Sequence, residues 1–309
     1  MKKLISIVAV LACVPFTTNA SELSSEISNV RRACGGISVE MADMKRMAGI
    51  NTAITGVGTV AGGVALGTGI AKAGVDKEAA EWEKILADLE QDKNLDEEYD
   101  LIDIDEVRKY LREQATEKAK KVAEGNFDEL TAESKTLGNI RTGTMAGAMA
   151  TNIAGAVIAG GNKVKGDLQS RIDECIVATK ILANVRMQAR IEESADVMEL
   201  QRADKIVAAC LDWEVVDLSK IDNRATGAMV SSAIGATTGL AGTITSASAN
   251  SDAVRTGDDQ KAKNLNTASN ILAGTTTVAS GAATVFNATQ IGAIKRAATV
   301  ADNCEGALK

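Results

Sequence analysis

Residues 225–251 read ATGAMVSSAIGATTGLAGTITSASANS, twenty-seven positions without one charged side chain. Small residues recur there every fourth place, at Gly227, Ser231, Gly235, Gly239, Thr243 and Ala247. A four-residue spacing draws one narrow groove down a helix. Such a groove lets two backbones approach closely, the small-xxx-small device best known from membrane helices. An Ala/Gly-rich helical pair in water produces the same spacing.

Three more stretches share this composition: Met47–Ala71, Thr142–Asn162 and Asn264–Ile294. Their rows run Thr55, Thr59, Gly63, Gly67; Gly143, Gly147, Thr151, Gly155, Ala159; and Thr276, Ser280, Thr284, Ala288, Gly292. The expected helix-packing positions are therefore Gly63, Gly67, Gly143, Gly147, Gly155, Gly227, Gly235 and Gly239. Propensity opposes a helix, since each Gly costs about 1 kcal/mol relative to Ala, so tertiary packing has to supply the difference. Strands would need sustained period-two alternation and Asn-Gly or Asp-Gly turns, and neither occurs here. The fold class expected is all-α.

Between the first two stretches lies a charged block, Lys72 to Lys135. Its apolar residues fall at helical spacing, at Trp82, Ile85, Leu86 and Leu89, then Val107, Tyr110, Leu111, Ala115 and Val122. These read as amphipathic helices with a core-facing stripe. Asp103 followed by Glu106 has the form of a capping box, and Gly125-Asn126 that of a helix stop. A third amphipathic block, Ile176 to Ala209, runs through Ile181, Leu182, Val185, Ile191, Met198, Leu200 and Ile206.

Asn139–Cys175 and Asn270–Cys304 both pass from Asn-Ile through a small-residue helix to basic residues and a cysteine. Cys34 precedes the first small-residue stretch as Cys210 precedes the third. Each half then reads cysteine, helix, tip, helix, cysteine: two pseudo-repeated antiparallel hairpins. The expected boundaries are a first half over 21–195, with a charged helical insertion over about 72–138, and a second half over 196–309. Counted from the tips, Cys34 lies 38 positions from Lys72 and Cys175 lies 36 from Asn139, so the two come out level. Cys210 lies 38 from Ser248 and Cys304 lies 40 from Asn264. A two-residue mismatch is about 3 Å along a helix, within what a disulfide absorbs. The pairing expected is Cys34 with Cys175 and Cys210 with Cys304. Four cysteines allow three connectivities, and Gly35-Gly36 interrupts the level count if it breaks the helix.

The chain opens with Lys2-Lys3, an apolar run from Leu4 to Phe16 and the small-residue end Thr17-Thr18-Asn19-Ala20, the form of a secretory signal peptide over 1–20. A lipobox at Val10-Leu11-Ala12-Cys13 is the rival, and Leu11 beside the small residue fits it poorly. Export to the periplasm or the cell exterior is expected, a setting that favours disulfides. Cleavage after Ala20 removes Lys2 and Lys3 and leaves 32 basic against 41 acidic residues. So acidic a chain, without basic clusters, argues against nucleic acid.

The sequence has no His, and its one Pro is Pro15. Long unbroken helices are therefore permitted, while the commonest general base and metal ligand is missing. Without His no Ser-His-Asp or Cys-His arrangement, HExxH zinc site or imidazole metal shell can be assembled, and no phosphate-loop pattern occurs. Carboxylate-only glycosidase chemistry would want aromatic platforms that the chain hardly has, so neither an enzyme nor a cofactor is expected. The acidic run Asp92–Glu98 lacks the glycine and closing glutamate of a calcium loop. Asn287-Ala288-Thr289 is a sequon by letter only. Trp82 and Trp213 read as packing residues.

Two roles follow. One is a disulfide-stapled helical bundle with a structural or interaction role, its partner another protein or a second copy of itself. The other is a helical protein whose small-residue hairpins enter a membrane. Only Leu, Ile, Phe and Val favour insertion, by about 0.3 to 0.6 kcal/mol each, and they are a minority here, which favours the first.

Overall fold

The computed structural model describes residues 20–90, 105–251 and 259–309. The expected signal peptide up to Asn19, Cys13, Asp103 of the capping box, the run 92–98 and much of the second tip lie outside them. Among the described residues every regular element is helical and there is no strand. The helices are α1 (Ala20–Cys34), α2 (Ile37–Glu90), α3 (Asp105–Gly161), α4 (Gly166–Ile191), α5 (Val197–Cys210), α6 (Ser219–Ala249) and α7 (Asp259–Leu308). A short 3-10 segment, Leu211–Val215, follows α5. With no proline to interrupt them, α2, α3 and α7 reach 54, 57 and 50 residues.

Gly36 separates α1 from α2 with φ of +80°, a conformation that only glycine adopts without penalty. The expected stop at Gly125-Asn126 does not occur, and α3 runs straight through it. Ala123 and Ser134 on either side are buried, and that packing carries the helix across the glycine. The block 176–209 is two helices with a turn over 192–196, where Glu193 takes φ of +49°.

The described chain forms two compact units, each drawing on both halves of the sequence. Of the described residues, the cysteine unit comprises 20–45, Val164–Leu218 and Gly292–Lys309. The bundle unit comprises the described residues of Arg46–Lys163 and of Ser219–Ile291.

In the cysteine unit α1, α4, α5 and the end of α7 enclose large apolar side chains. Leu23, Ile27, Val30, Ile37, Met41, Leu168, Ile172, Leu182, Ile206, Trp213 and Ile294 are all buried. Polar side chains at the edge bind backbone or one another: Arg31 Nε donates to the carbonyl of Leu308 at 3.1 Å and Arg171 Nη2 to that of Gly35 at 2.6 Å. Arg171 also pairs with Glu40, and Asp204 accepts from Arg186 and Arg190.

The bundle unit is an up-down-up-down bundle of α2, α3, α6 and α7. Antiparallel neighbours are identified by their closest approaches: Gly58 faces Thr151 across α2 and α3, Gly239 faces Met149 across α6 and α3, and Gly62 faces Thr277 across α2 and α7. Thr238 and Thr276 join α6 to α7 at 2.8 Å.

Buried positions follow steps of three and four in alternation. They are 48, 51, 55, 58, 62, 65, 69 and 72 in α2, and 221, 225, 228, 232, 235, 239, 242, 246 and 249 in α6. In α7 they are 269, 273, 276, 280, 283, 287 and 290, with Ala279 buried beside Ser280. That is a seven-residue period, the seam of a coiled coil, and not a four-residue one.

The amphipathic stripes read from the sequence are only partly core-facing. Leu182 and Ile206 are buried, but Ile85, Val122, Ile181, Ile191 and Met198 are exposed. Trp82 is half-buried, whereas Trp213 is buried.

Candidate functional site

The four charge-free stretches run side by side in the bundle unit, Asn264–Ile294 as far as Ile291. Helical geometry, at about 1.5 Å per residue, makes the shortest of them, Thr142–Asn162, about 30 Å long. Their seam carries almost no large apolar side chain. Asn51, Thr55, Asn152, Ser232, Ser246, Ser269, Thr276, Ser280, Asn287 and Gln290 are buried there, among Ala and Gly.

These polar groups bond across the bundle. Asn51 Nδ2 donates to Asn287 Oδ1 at 2.9 Å, Thr284 Oγ1 to Thr55 Oγ1 at 3.1 Å, and Asn152 Nδ2 to Ser280 Oγ at 2.8 Å. Thr142 and Ser246 are 2.9 Å apart, and Gln290 Nε2 donates to the carbonyl of Asn162 at 3.0 Å. Asn51 Oδ1, Asn162 Nδ2, Ser232 Oγ and Gln290 Oε1 are buried there without a hydrogen-bond partner.

The outer surface is the reverse. Val57, Val60, Val64, Ile153, Val157, Val230, Ile234, Ile244, Ile271, Val278 and Val285 are all exposed. The threonines beside them satisfy their hydroxyls on their own helix. Thr68 bonds the carbonyl of Val64, Thr237 that of Ala233 and Thr275 that of Ile271, each at 2.9 Å. Back-bonding of this kind leaves no donor that needs water.

Charged groups return at both ends of the section. At one end Lys72, 3 % exposed, bonds Asp76 at 2.7 Å and Ser134 at 2.9 Å. Close by, Arg141 is fully buried, donating from Nη2 to the carbonyl of Asn266 at 3.3 Å. At the other, Arg224 Nη1 donates to the carbonyl of Thr289 at 2.6 Å.

Of the glycines singled out in the sequence, Gly155, Gly227, Gly235 and Gly239 lie where a Cβ would meet another helix within about 3 Å. Gly63, Gly67, Gly143 and Gly147 do not: they face outward, with nothing within 4 Å of a Cβ. The reason is geometric. Each four-residue step rotates a position by about 40° around an α-helix, so a row that starts on the seam leaves it within three steps. Gly58, Gly62, Gly69 and Gly242 take the close approaches instead. Alternating steps of three and four among small residues would have located them.

The second candidate is in the cysteine unit. Cys34 and Cys175 are bonded with Cα atoms 4.8 Å apart, and Cys210 and Cys304 with Cα atoms 4.6 Å apart. Those are the pairs expected from the spacing, and two such bonds are compatible with an oxidising, exported environment. Not legible beforehand was their convergence: the Sγ atoms of Cys34, Cys175 and Cys304 all lie within 4.8 Å of one another. All four cysteines are buried. Asn287 of the sequon is buried as well and bonded to Asn51, so it is closed to glycosylation as the chain is folded. Compared with known protein families, curated proteins and solved structures, the chain matches none.

Proposed function

We propose that this is an exported, non-catalytic helical protein whose charge-free bundle section sits in a lipid bilayer. One observation carries the reading: over about 30 Å the section is apolar outside and polar inside. That is the opposite of a bundle made for water. In hydrocarbon the outward Val and Ile are solvated as they stand, the threonines are self-satisfied, and the Asn, Ser and Thr ladder holds helices together where the hydrophobic effect between them is absent. The length agrees with a hydrocarbon core of about 30 Å. The stretch Glu22–Ala87, interrupted at Gly36, contains a segment long and apolar enough to cross a membrane by length and composition, and that segment is mostly unburied.

The finer organisation belongs to the same reading. α2 with α3, and α6 with α7, are two copies of one hairpin, each closed by the disulfide between its flanking cysteines. The small-residue seam is a glycine zipper that brings their backbones together, and residues 1–20 are the signal that delivers the chain to the membrane from the exported side.

A second reading keeps the bundle in water with a protein partner or a second copy on its outer face. It is favoured by the low apolar content of the other three stretches. Flotation of the full mature chain with liposomes separates the two. Insertion predicts co-flotation that resists high salt and is lost in Val60→Lys/Val157→Lys, whose Lys residues each oppose insertion by about 2.5–3.5 kcal/mol. Those positions are 67 % and 71 % exposed, so the variant keeps its helical circular dichroism. A wild-type chain that stays monomeric in buffer and ignores liposomes would overturn the membrane reading.

A further inference from the structure

Four helices of the cysteine unit each carry one buried cysteine: Cys34 on α1, Cys175 on α4, Cys210 on α5 and Cys304 on α7. Disulfide stapling requires only that each pair meet. Here the pairs also meet each other, with Cys304 Sγ within 4.8 Å of both sulfurs of the Cys34–Cys175 bond. Three of the sulfurs are mutually adjacent and the fourth, on Cys210, is bonded to one of them, Cys304; four buried cysteines from four helices are in kind the ligand set of a closed tetrathiolate metal site. From this convergence we infer that the reduced form of the protein binds one Zn2+ in the cysteine layer, so that disulfide and metal are alternative staples of the same four helices.

The geometric demand is a local rearrangement of the four side chains. Four ligands at about 2.3 Å in a tetrahedron stand about 3.8 Å from one another. Within each pair, reduction breaks a bond of about 2 Å and the two sulfurs separate by a little under 2 Å more. Between pairs, Cys304 Sγ lies within 4.8 Å of the Cys34 and Cys175 sulfurs and closes on them by up to about 1 Å, while Cys210 turns in from its place beside Cys304 to complete the set. The chemistry balances as follows. Each disulfide takes two electrons and two protons from a dithiol reductant, which leaves as its own disulfide. The four thiols then release four protons as Zn2+ binds, because thiolates are the ligands. The resulting centre carries two net negative charges.

The test is a metal titration of the full mature chain, reduced with a phosphine, desalted under argon and given Co2+ and then Zn2+. The expected result is one Co2+ per chain with thiolate charge-transfer and tetrahedral d–d bands, displaced by Zn2+, in a chain whose helical circular dichroism is kept or restored by the metal. The oxidised chain binds none. Cys304→Ser lowers the affinity by more than the about 100-fold that loss of an outer-shell group produces at such sites. A reduced chain without the tetrahedral thiolate spectrum overturns the inference, whether or not it stays helical. So does a Cys304→Ser chain with undiminished affinity, or a spectrum that appears without helical structure.

Discussion

The cysteine unit and the bundle unit are built from the same kind of helix and held by different forces. In the first, buried Leu, Ile, Met and Trp side chains are removed from water, and two disulfides constrain the unfolded chain. In the second, the seam is Gly, Ala, Ser, Thr and Asn, and the aliphatic side chains point outward. A fully buried Leu or Ile contributes about 1.5–3 kcal/mol by leaving water, and a buried Ala or Ser far less. The bundle therefore depends on close backbone approach and interhelical hydrogen bonds, which come into their own where lipid replaces water.

The comparison breaks first at Trp213. It fills the cysteine unit at 2 % exposure, and Trp213→Ala is expected to destabilise that unit by about 3–5 kcal/mol, read by denaturant unfolding of the oxidised chain. Equal loss from an Ala substitution of any bundle seam residue would show that the two cores do not differ.

A finer distinction lies in two adjacent glycines. A Cβ at Gly62 would stand 2.7 Å from Thr277 Oγ1 and 3.2 Å from the Thr277 backbone, whereas at Gly63 nothing lies within 4 Å. Gly62→Ala is expected to cost about 1–3 kcal/mol through overpacking. Gly63→Ala is expected to stabilise by up to about 1 kcal/mol, since Ala is the better helix former. Thermal melts in matched detergent read both, and like signs would refute the seven-residue seam.

The smallest effect sharpens the account of the polar ladder. A double-mutant cycle of Asn51→Ala and Asn287→Ala is expected to yield a coupling of about 0.5–1.5 kcal/mol, the net worth of one hydrogen bond. Zero coupling would mean that the 2.9 Å contact contributes nothing beyond packing.

Much of this was legible in the sequence. Absence of proline and of alternating patterns was enough for long helices, and the level spacing of cysteines was enough for their pairing. The orientation of the small-residue rows was not. Gly63 and Gly67 belong to a four-residue row that begins at Thr55, on the seam, and rotates off it. Gly58, Gly62 and Gly69 are on the seam but break the four-residue rhythm. Nor could Gly125 be known to lie inside a helix, because the packing that overrides it comes from neighbours distant in sequence.

By itself the sequence determined helicity, the four charge-free stretches and which cysteines stand level, since all three are properties of composition and of counting along one chain. Only the tertiary structure decided which face of each helix turns inward and that the sulfurs of Cys34, Cys175 and Cys304 converge. The physical reason is that a face is chosen by what stands opposite it. Gly62 and Gly63 are identical residues one position apart, and the backbone of Thr277 on another helix is what distinguishes them.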